Sequence, residues 1–377
     1  MKYFLIAGEA SGDLHGSELI KSLREQDPQA DCSFLGGDLM AAATGLAPIV
    51  HYRDMAYMGL TQVVRHLPSI LGFMRTAKQH ITQWRPDAVV LIDYPSFNLK
   101  VAKHAHSLGI PVFYFISPKV WVWKEWRVKD IKRWVDEMLC ILPFEPAFYS
   151  KHNYEATYVG NPTMTEIKHA ITTLPDREAF CHEHGLDPKR HIIALAPGSR
   201  VKEISENLPP MLAAASRHKD CQVALAAAPN IDAALYSSLL GNAPVTIVNQ
   251  ATWPLLRSAR VALVTSGTVT LETAILGTPQ VACYRMNGKK WLYQFMHRLL
   301  KGKYVTLPNI INNEATIPEL LVHNCTTENI DSQLTALLSD GPERQAQLDG
   351  YARMESMLGE QNCCIEAAQR IINRLNR

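Results

Sequence analysis

Short apolar runs recur along the first 160 residues, at 3–7, 33–35, 88–92, 111–116, 138–142 and 157–159. More follow at 191–196, 222–226, 245–248, 261–264 and 280–283. These runs are apolar without alternation, which is the pattern of strands buried on both faces. Between them, segments such as 12–25, 96–107 and 205–217 carry apolar residues at helical spacing. Strand and helix in alternation predict an α/β chain of parallel, doubly wound sheets. The pattern restarts after Gly160-Asn161-Pro162-Thr163, a turn-forming stretch that reads as an interdomain link. Two Rossmann-like domains are therefore expected, 1–163 and 164–355. The remainder, 356–377, contains an amphipathic helix over 361–375 that either crosses back to the first domain or reaches a partner subunit. In doubly wound sheets the ligand lies beyond the carboxyl ends of the strands, so two such domains facing each other are expected to hold it in a cleft.

Chemistry is accordingly sought in the turns after strands. Residues 261–277 read VALVTSGTVTLETAILG: an apolar run, then Thr265-Ser266-Gly267-Thr268, then Val269, Leu271, Ala274 and Ile275 at helical positions. Such a turn presents unpaired N–H groups and the positive end of a helix dipole, which together favour a phosphate. Glu272 lies about one turn into the helix, placed for a ribose hydroxyl pair. The competing reading makes Ser266 or Thr268 an N-cap and Glu272 a first-turn dipole partner. Pro197-Gly198-Ser199-Arg200 closes the run at 191–196 and is a second phosphate turn. There Arg200 would pair bidentately with a departing diphosphate, unless it is only a solvated first-turn residue. The chain has no Asp-x-Asp pair and no His/carboxylate cluster at metal spacing, so donors of this kind would stabilise a diphosphate without a metal.

The first turn reads AGEASGDLHG, with Gly8, Gly12 and Gly16 four residues apart. Gly12 and Gly16 share a helix face and admit close strand–helix approach. The spacing is neither GxGxxG nor GxxxxGK[ST]. Glu9, Ser11 and Asp13 leave a polar, partly acidic rim suited to sugar hydroxyls, with one of Ser11 and Asp13 expected as a helix cap. In VVLIDYPSFN, Asp93 follows a strand and is separated from the next helix by Pro95 and Ser96. Ser96 is the expected N-cap, which frees Asp93 as a general base for an acceptor hydroxyl.

Two further segments and the bulk properties adjust the picture. Residues 119–134, KVWVWKEWRVKDIKRW, hold four tryptophans and six Lys or Arg against two acids. Interleaved rings and cations can stack nucleic-acid bases. Trp123, Trp126 and Ile131 nevertheless fall on one helical side with the cations on another, which favours an amphipathic segment or a mouth for an anionic amphiphile. Within 58–78, Leu60, Val64, Leu67, Leu71 and Met74 form a core-facing stripe, and Val63, Ile70 and Phe73 fall outside it, beside Arg65, Arg75 and Lys78. That surplus predicts an interfacial helix on anionic lipid, the alternative being burial on both sides. Across 377 residues the net charge is only +2, giving no global case for nucleic acid or membrane. Eight cysteines without CxxC spacing fit a reducing cytoplasm, and MKYFLIAGEASGD reads as a first strand rather than a signal peptide.

GEASGD at 8–13, IDYPSFN at 92–98, Trp121–Trp123 with LPFEPAFY at 142–149, PGSR at 197–200, TSGTVTLE at 265–272, LPNII at 307–311 and PELL at 318–321 occur in this order. With them the sequence resembles the lipid-A-disaccharide synthase family, glycosyltransferases of the GT-B fold, over essentially its full length. The resemblance implies inverting, metal-independent transfer from UDP-2,3-diacylglucosamine to 2,3-diacylglucosamine 1-phosphate (lipid X), giving UDP and the β-1,6-linked disaccharide. It also implies a cytoplasmic enzyme, peripheral on the inner membrane of a Gram-negative cell, and a homodimer with exchanged C-terminal segments. Carried over, Asp93 is the acceptor-activating base, Arg200, Glu272 and Asn309 contact nucleotide and diphosphate, and Glu9 and Ser11 lie on the sugar side. Asn161 stands where the family usually has His, Ser96 where Asp is common, and Val322 where Gln commonly follows PELL. Two alternatives are another UDP-sugar GT-B enzyme, such as a 2-epimerase, and a divergent paralogue with a different acyl preference. A third, a non-enzymatic nucleotide or RNA binder using 119–134, would make Asp93 dispensable and binding steeply salt-dependent.

Overall fold

The computed structural model of the chain describes residues 1–55, 67–285 and 303–376. Every apolar run becomes a strand. In the first half these are β1 (Lys2–Ala7), β2 (Asp31–Leu35), β3 (Ala88–Ile92), β4 (Val112–Phe115), β5 (Glu137–Cys140) and β6 (Ala156–Tyr158). In the second half they are β7 (Ile192–Ala196), β8 (Gln222–Ala227), β9 (Val245–Asn249), β10 (Val261–Val264) and β11 (Gln280–Tyr284). A twelfth, β12 (Glu319–Leu321), was not visible in the pattern, because three half-buried residues at a sheet edge carry no period. The described strands form two parallel six-stranded sheets, ordered β2-β1-β3-β4-β5-β6 and β12-β11-β10-β7-β8-β9.

Alternate residues of β1 explain why its run is continuous. Phe4 and Ile6 enter one core cluster and Tyr3, Leu5 and Ala7 another, on the opposite face, all fully buried. The chain divides into two units, Met1–Thr165 with Glu360–Arg377, and Glu166–Gly359. The tail helix Cys363–Leu375 therefore packs on the first unit of its own chain. Its Cys363, Cys364, Ala367, Ala368 and Ile371 join Leu19, Ile20 and Leu23 of the helix Ala10–Gln26. Asn362 caps it by accepting from the N–H groups of Cys364 and Ile365.

Three local expectations are corrected. Residues 119–124 are not helical: a short 3₁₀ turn at Glu125–Arg127 leads into the helix Val128–Trp134. Trp123 and Trp126 are more than half exposed while Ile131 is fully buried, so the three share no face. The helix Leu67–Trp84 keeps only part of its expected stripe: Met74 is buried as expected, together with Ala77 and Ile81, but Ile70 and Phe73 pack against the same core and Leu71 is 48% exposed. The reason lies downstream, since Ala77 and Ile81 fix the inward face and Leu71 falls off it. Leu60, Val63, Val64 and Arg65 lie outside the described residues. Ser96 does not cap its helix. Pro95–Ser107 starts after Tyr94, whose side chain makes no cap bond, and Ser96 instead accepts a hydrogen bond from Arg127.

Candidate active site

Each sheet reverses its winding once. In the first, β2 lies on one side of β1 and all later strands on the other, so the reversal falls between β1 and β3, whose ends meet at Ala7 and Ile92. In the second it falls between β7 and β10, whose ends meet at Ala196 and Val264. Such switch points are where doubly wound sheets open a crevice for ligand. Residues 8–11 and 93–96 leave the first; residues 197–200 and 265–268 leave the second.

In the first unit Gly8 is buried and covered by Tyr94, whose ring atoms would lie 2.4 Å from a Cβ there. Glu9 and Ser11 are exposed at the end of β1. Asp13 is not part of their rim. It is 2% exposed, and its carboxylate accepts from the N–H groups of Gly37, Leu39 and Met40, capping the helix Asp38–Thr44. Gly12 and Gly16 do bring helix and strands together, with a Cβ at 3.2 Å from Ala7 and 3.0 Å from Ile92 respectively.

Asp93 and Tyr94 both have left-handed backbones, at φ +42° and +45°, and Ile116 at the end of β4 does too, at +66°. A β-branched residue in that region is strained, and strain of this kind persists only where neighbours hold it. Here the Asp93 carbonyl accepts from Asn98 Nδ2 at 2.7 Å and from the Tyr114 hydroxyl, both fully buried. Its carboxylate, open to solvent on one side and crowded by protein on the others, is pushed up to about 6. Desolvation is the main cause and the Glu9 carboxylate adds to it, while Lys119, the Tyr94 N–H and His15 oppose it. A base titrating near neutrality combines availability with driving force.

Asp93 opens on a cavity of about 410 Å³, also lined by Ser96, Ser117, Lys119, Lys124, Arg127 and Glu145. Glu145 is buried and accepts from the Leu142 N–H and Trp121 Nε1, and desolvation pushes its carboxyl up to about 7. A neighbouring cavity of about 530 Å³ shares Pro95, Ser96 and Arg127 and is walled by Leu99, Trp126 and Trp134.

In the second unit the helix Val201–Ala215 begins at Arg200. Gly198 turns the chain at φ +134°, with its Cβ position 2.8 Å from Glu203 Cβ, so only glycine is comfortable there. Glu203 occupies the helix N-terminus: it accepts from the Ser199 N–H at 3.3 Å and from Arg200 Nη1 at 3.0 Å. The Arg200 side chain is 66% exposed, and an exposed pair of this kind contributes only about 0.3–0.5 kcal/mol. A diphosphate presenting two oxygens would displace it. The helix Thr268–Ile275 starts after Gly267 with no side-chain cap, so neither Ser266 nor Thr268 is the N-cap of the competing reading. Gly267 and Thr268 are exposed and Ser266 half-buried. Glu272 accepts from Trp253 Nε1 at 2.8 Å, which fixes its carboxylate.

Asn309 departs from expectation. It is 1% exposed, its Nδ2 donates to the Ile317 carbonyl and to Glu319, and its Oδ1 accepts from the Ile317 N–H. Its amide holds the loop from Leu307 to Glu319 together and presents nothing outward. Sequence reasoning also missed Asn207. Fully buried, it donates to the Pro197 carbonyl and Thr265 Oγ1 and accepts from the Arg285 N–H, tying the ends of β7, β10 and β11.

The architecture defines a class. Over its full length the chain superposes on a UDP-GlcNAc 2-epimerase from Neisseria meningitidis, covering 100% of both chains at TM-score 0.66 and 12% identity. It also superposes on the calicheamicin glycosyltransferase CalG4, covering 100% of this chain and 98% of that one at TM-score 0.63 and 14% identity. The fold is GT-B. The family described as Lipid-A-disaccharide synthetase matches residues 3–372, and the chain belongs to that family. Among its relatives, the lipid-A-disaccharide synthase of Acidobacterium capsulatum is 38% identical over 94% of this chain and 91% of its own length. That of Koribacter versatilis is 36% identical over 98% and 96%, and that of Myxococcus xanthus 35% over 99% and 97%.

Proposed function

We propose that the chain transfers 2,3-diacylglucosamine from UDP to 2,3-diacylglucosamine 1-phosphate with inversion, releasing UDP and the β-1,6-linked disaccharide. Asp93 accepts the proton of the attacking acceptor hydroxyl, and Arg200 with the N–H groups at the Thr268 helix start receives the departing diphosphate. Glu272, oriented by Trp253, takes the ribose hydroxyls. The observation that carries this reading is Asp93 itself, a carboxylate at a switch point on a strained, clamped backbone with its pKa raised towards neutrality. Membership of the family supports the lipid-linked sugar substrates, and the 2-epimerases share only the fold.

The same reading makes the reaction metal-independent, the enzyme peripheral on an anionic inner-membrane surface, and the working form a homodimer. No described helix is long and apolar enough to cross a membrane. The exposed Leu71 beside Arg75 and Lys78 suits contact with a lipid surface. The test is mass spectrometry of the products formed from the two diacyl sugars, with and without EDTA. A disaccharide 1-phosphate and UDP in equal amounts, undiminished by EDTA, is expected; epimerised UDP-sugar, or activity lost on chelation and restored by Mg²⁺, would overturn the corresponding part.

A further inference from the structure

Arg127 is 8% exposed, yet its Nη2 donates at 2.8 Å to Ser96 Oγ, a neutral partner. Among the described residues no carboxylate stands at ion-pair distance from it, and Asp130 acts on it only from farther away. A buried guanidinium without a counter-charge is costly, and besides Ser96 this one has the Trp126 ring, 5.7 Å from its Cζ. Lys124 lies close by, half-buried, its Nζ 4.0 Å from the Trp123 ring centroid. Desolvation and the neighbouring Arg127 both make the Lys124 charge harder to hold. The remaining lysine of the cavity, Lys119, acts on Asp93. The other acid there, Glu145, is already engaged by the Leu142 N–H and Trp121. Asp93 and Arg127 line the same cavity.

We infer that Arg127, with Lys124 beside it, binds the phosphate monoester of a phosphorylated sugar in this cavity while Asp93 faces a hydroxyl of the same sugar. The inference rests on the acceptor reading of the cavity and names the groups that recognise its charge. A pyranose carrying a phosphate at one end and a primary hydroxyl at the other presents the two features the wall offers, a dianion for the cations and a proton for the base.

The test is calorimetric binding of three probes: a short-chain 2,3-diacylglucosamine 1-phosphate, its dephosphorylated counterpart, and inorganic phosphate. The proteins are the wild type, Arg127→Met and Arg127→Lys, with the tryptophan-fluorescence urea midpoint as the control for the fold of the first unit. The wild type should prefer the phosphorylated sugar by roughly 10–100-fold, the worth of hydrogen bonds to a charged group. Arg127→Met should lower that preference roughly tenfold or more without changing affinity for the dephosphorylated sugar. Arg127→Lys keeps a cation on the same wall, so a preference retained there and lost in Arg127→Met follows the charge and not a folding defect. Equal binding of the two sugars to wild type, or a preference that survives Arg127→Met, overturns the inference alone. Inorganic phosphate binding as tightly as the sugar phosphate would make this a general anion site and overturn the substrate assignment. A wild type that binds UDP and neither sugar overturns the acceptor reading together with the inference.

Discussion

Asp93 shows how one side chain is set apart from its neighbours. Its carboxyl sits near 6 against an ordinary 3.8, because burial and Glu9 both disfavour the charge. The base must be ionised to work, so turnover should fall as pH drops through about 6. Asp93→Asn should lower kcat by roughly 10²–10⁴ with UDP affinity unchanged. The effect on stability has the opposite sense. Since the folded pKa lies above the unfolded one, the native state is penalised wherever Asp93 is charged, above about pH 6, and relieved as pH falls towards 4. The asparagine variant should therefore melt higher than wild type at pH 8, with the difference vanishing near pH 4. A thermal shift independent of pH, or near wild-type turnover, would remove Asp93 from its role. The position of Asp93 at a strand end was legible in the sequence, but the Ser96 cap expected to free it is absent. The clamp by Asn98 and Tyr114, and the left-handed backbone, were not legible, because both depend on which buried groups the fold brings to that carbonyl.

At the scale of elements, strands were readable and helix faces less so. Continuous apolar runs have few alternatives in a parallel sheet, whereas a helical stripe can be rotated by one residue and still look periodic. Leu67–Trp84 is the case: Ile70 and Phe73 pack inward and Leu71 outward. Ile70→Ser and Phe73→Ser should each lower stability by about 1–2 kcal/mol, less than full burial of such side chains because both are only partly covered. Leu71→Ser should leave the urea midpoint unchanged and weaken co-sedimentation with anionic vesicles; undiminished vesicle binding would place the membrane contact elsewhere. The turns of the second unit make a different prediction. Arg200→Ala should weaken UDP binding, and so should Glu272→Ala and Trp253→Phe, the last by freeing the Glu272 carboxylate. Glu203→Gln should strengthen it, since Glu203 competes with the diphosphate for Arg200 and the Ser199 N–H. Asn309→Ala should act through the loop it holds, lowering stability together with affinity. Calorimetric titration with UDP separates these outcomes, and unchanged affinity in the Arg200 and Glu272 variants would reduce both turns to ordinary helix starts.

At the scale of the whole molecule the tail decides what counts as a domain. Residues 360–377 lie after the second unit in sequence and belong to the first in packing. The amphipathic pattern announced a helix; it did not say which surface the helix covers, because the complementary apolar patch on Ala10–Gln26 is distant in sequence. A dimer with exchanged tails would bury the same residues on the same surface, so the two arrangements differ in connection and concentration rather than in contacts. Either way Ile371, fully buried between the tail and the first sheet, carries the attachment. Ile371→Ala should cost about 2–5 kcal/mol by the cavity it leaves. Trp84, Trp121, Trp123, Trp126 and Trp134 all lie in the first unit, so tryptophan fluorescence during urea unfolding reports chiefly on it. The expected outcome is an earlier fluorescence midpoint with UDP affinity retained in the folded protein. A midpoint equal to wild type would mean that the first unit folds without the tail, and that the helix is attached to it without supporting it.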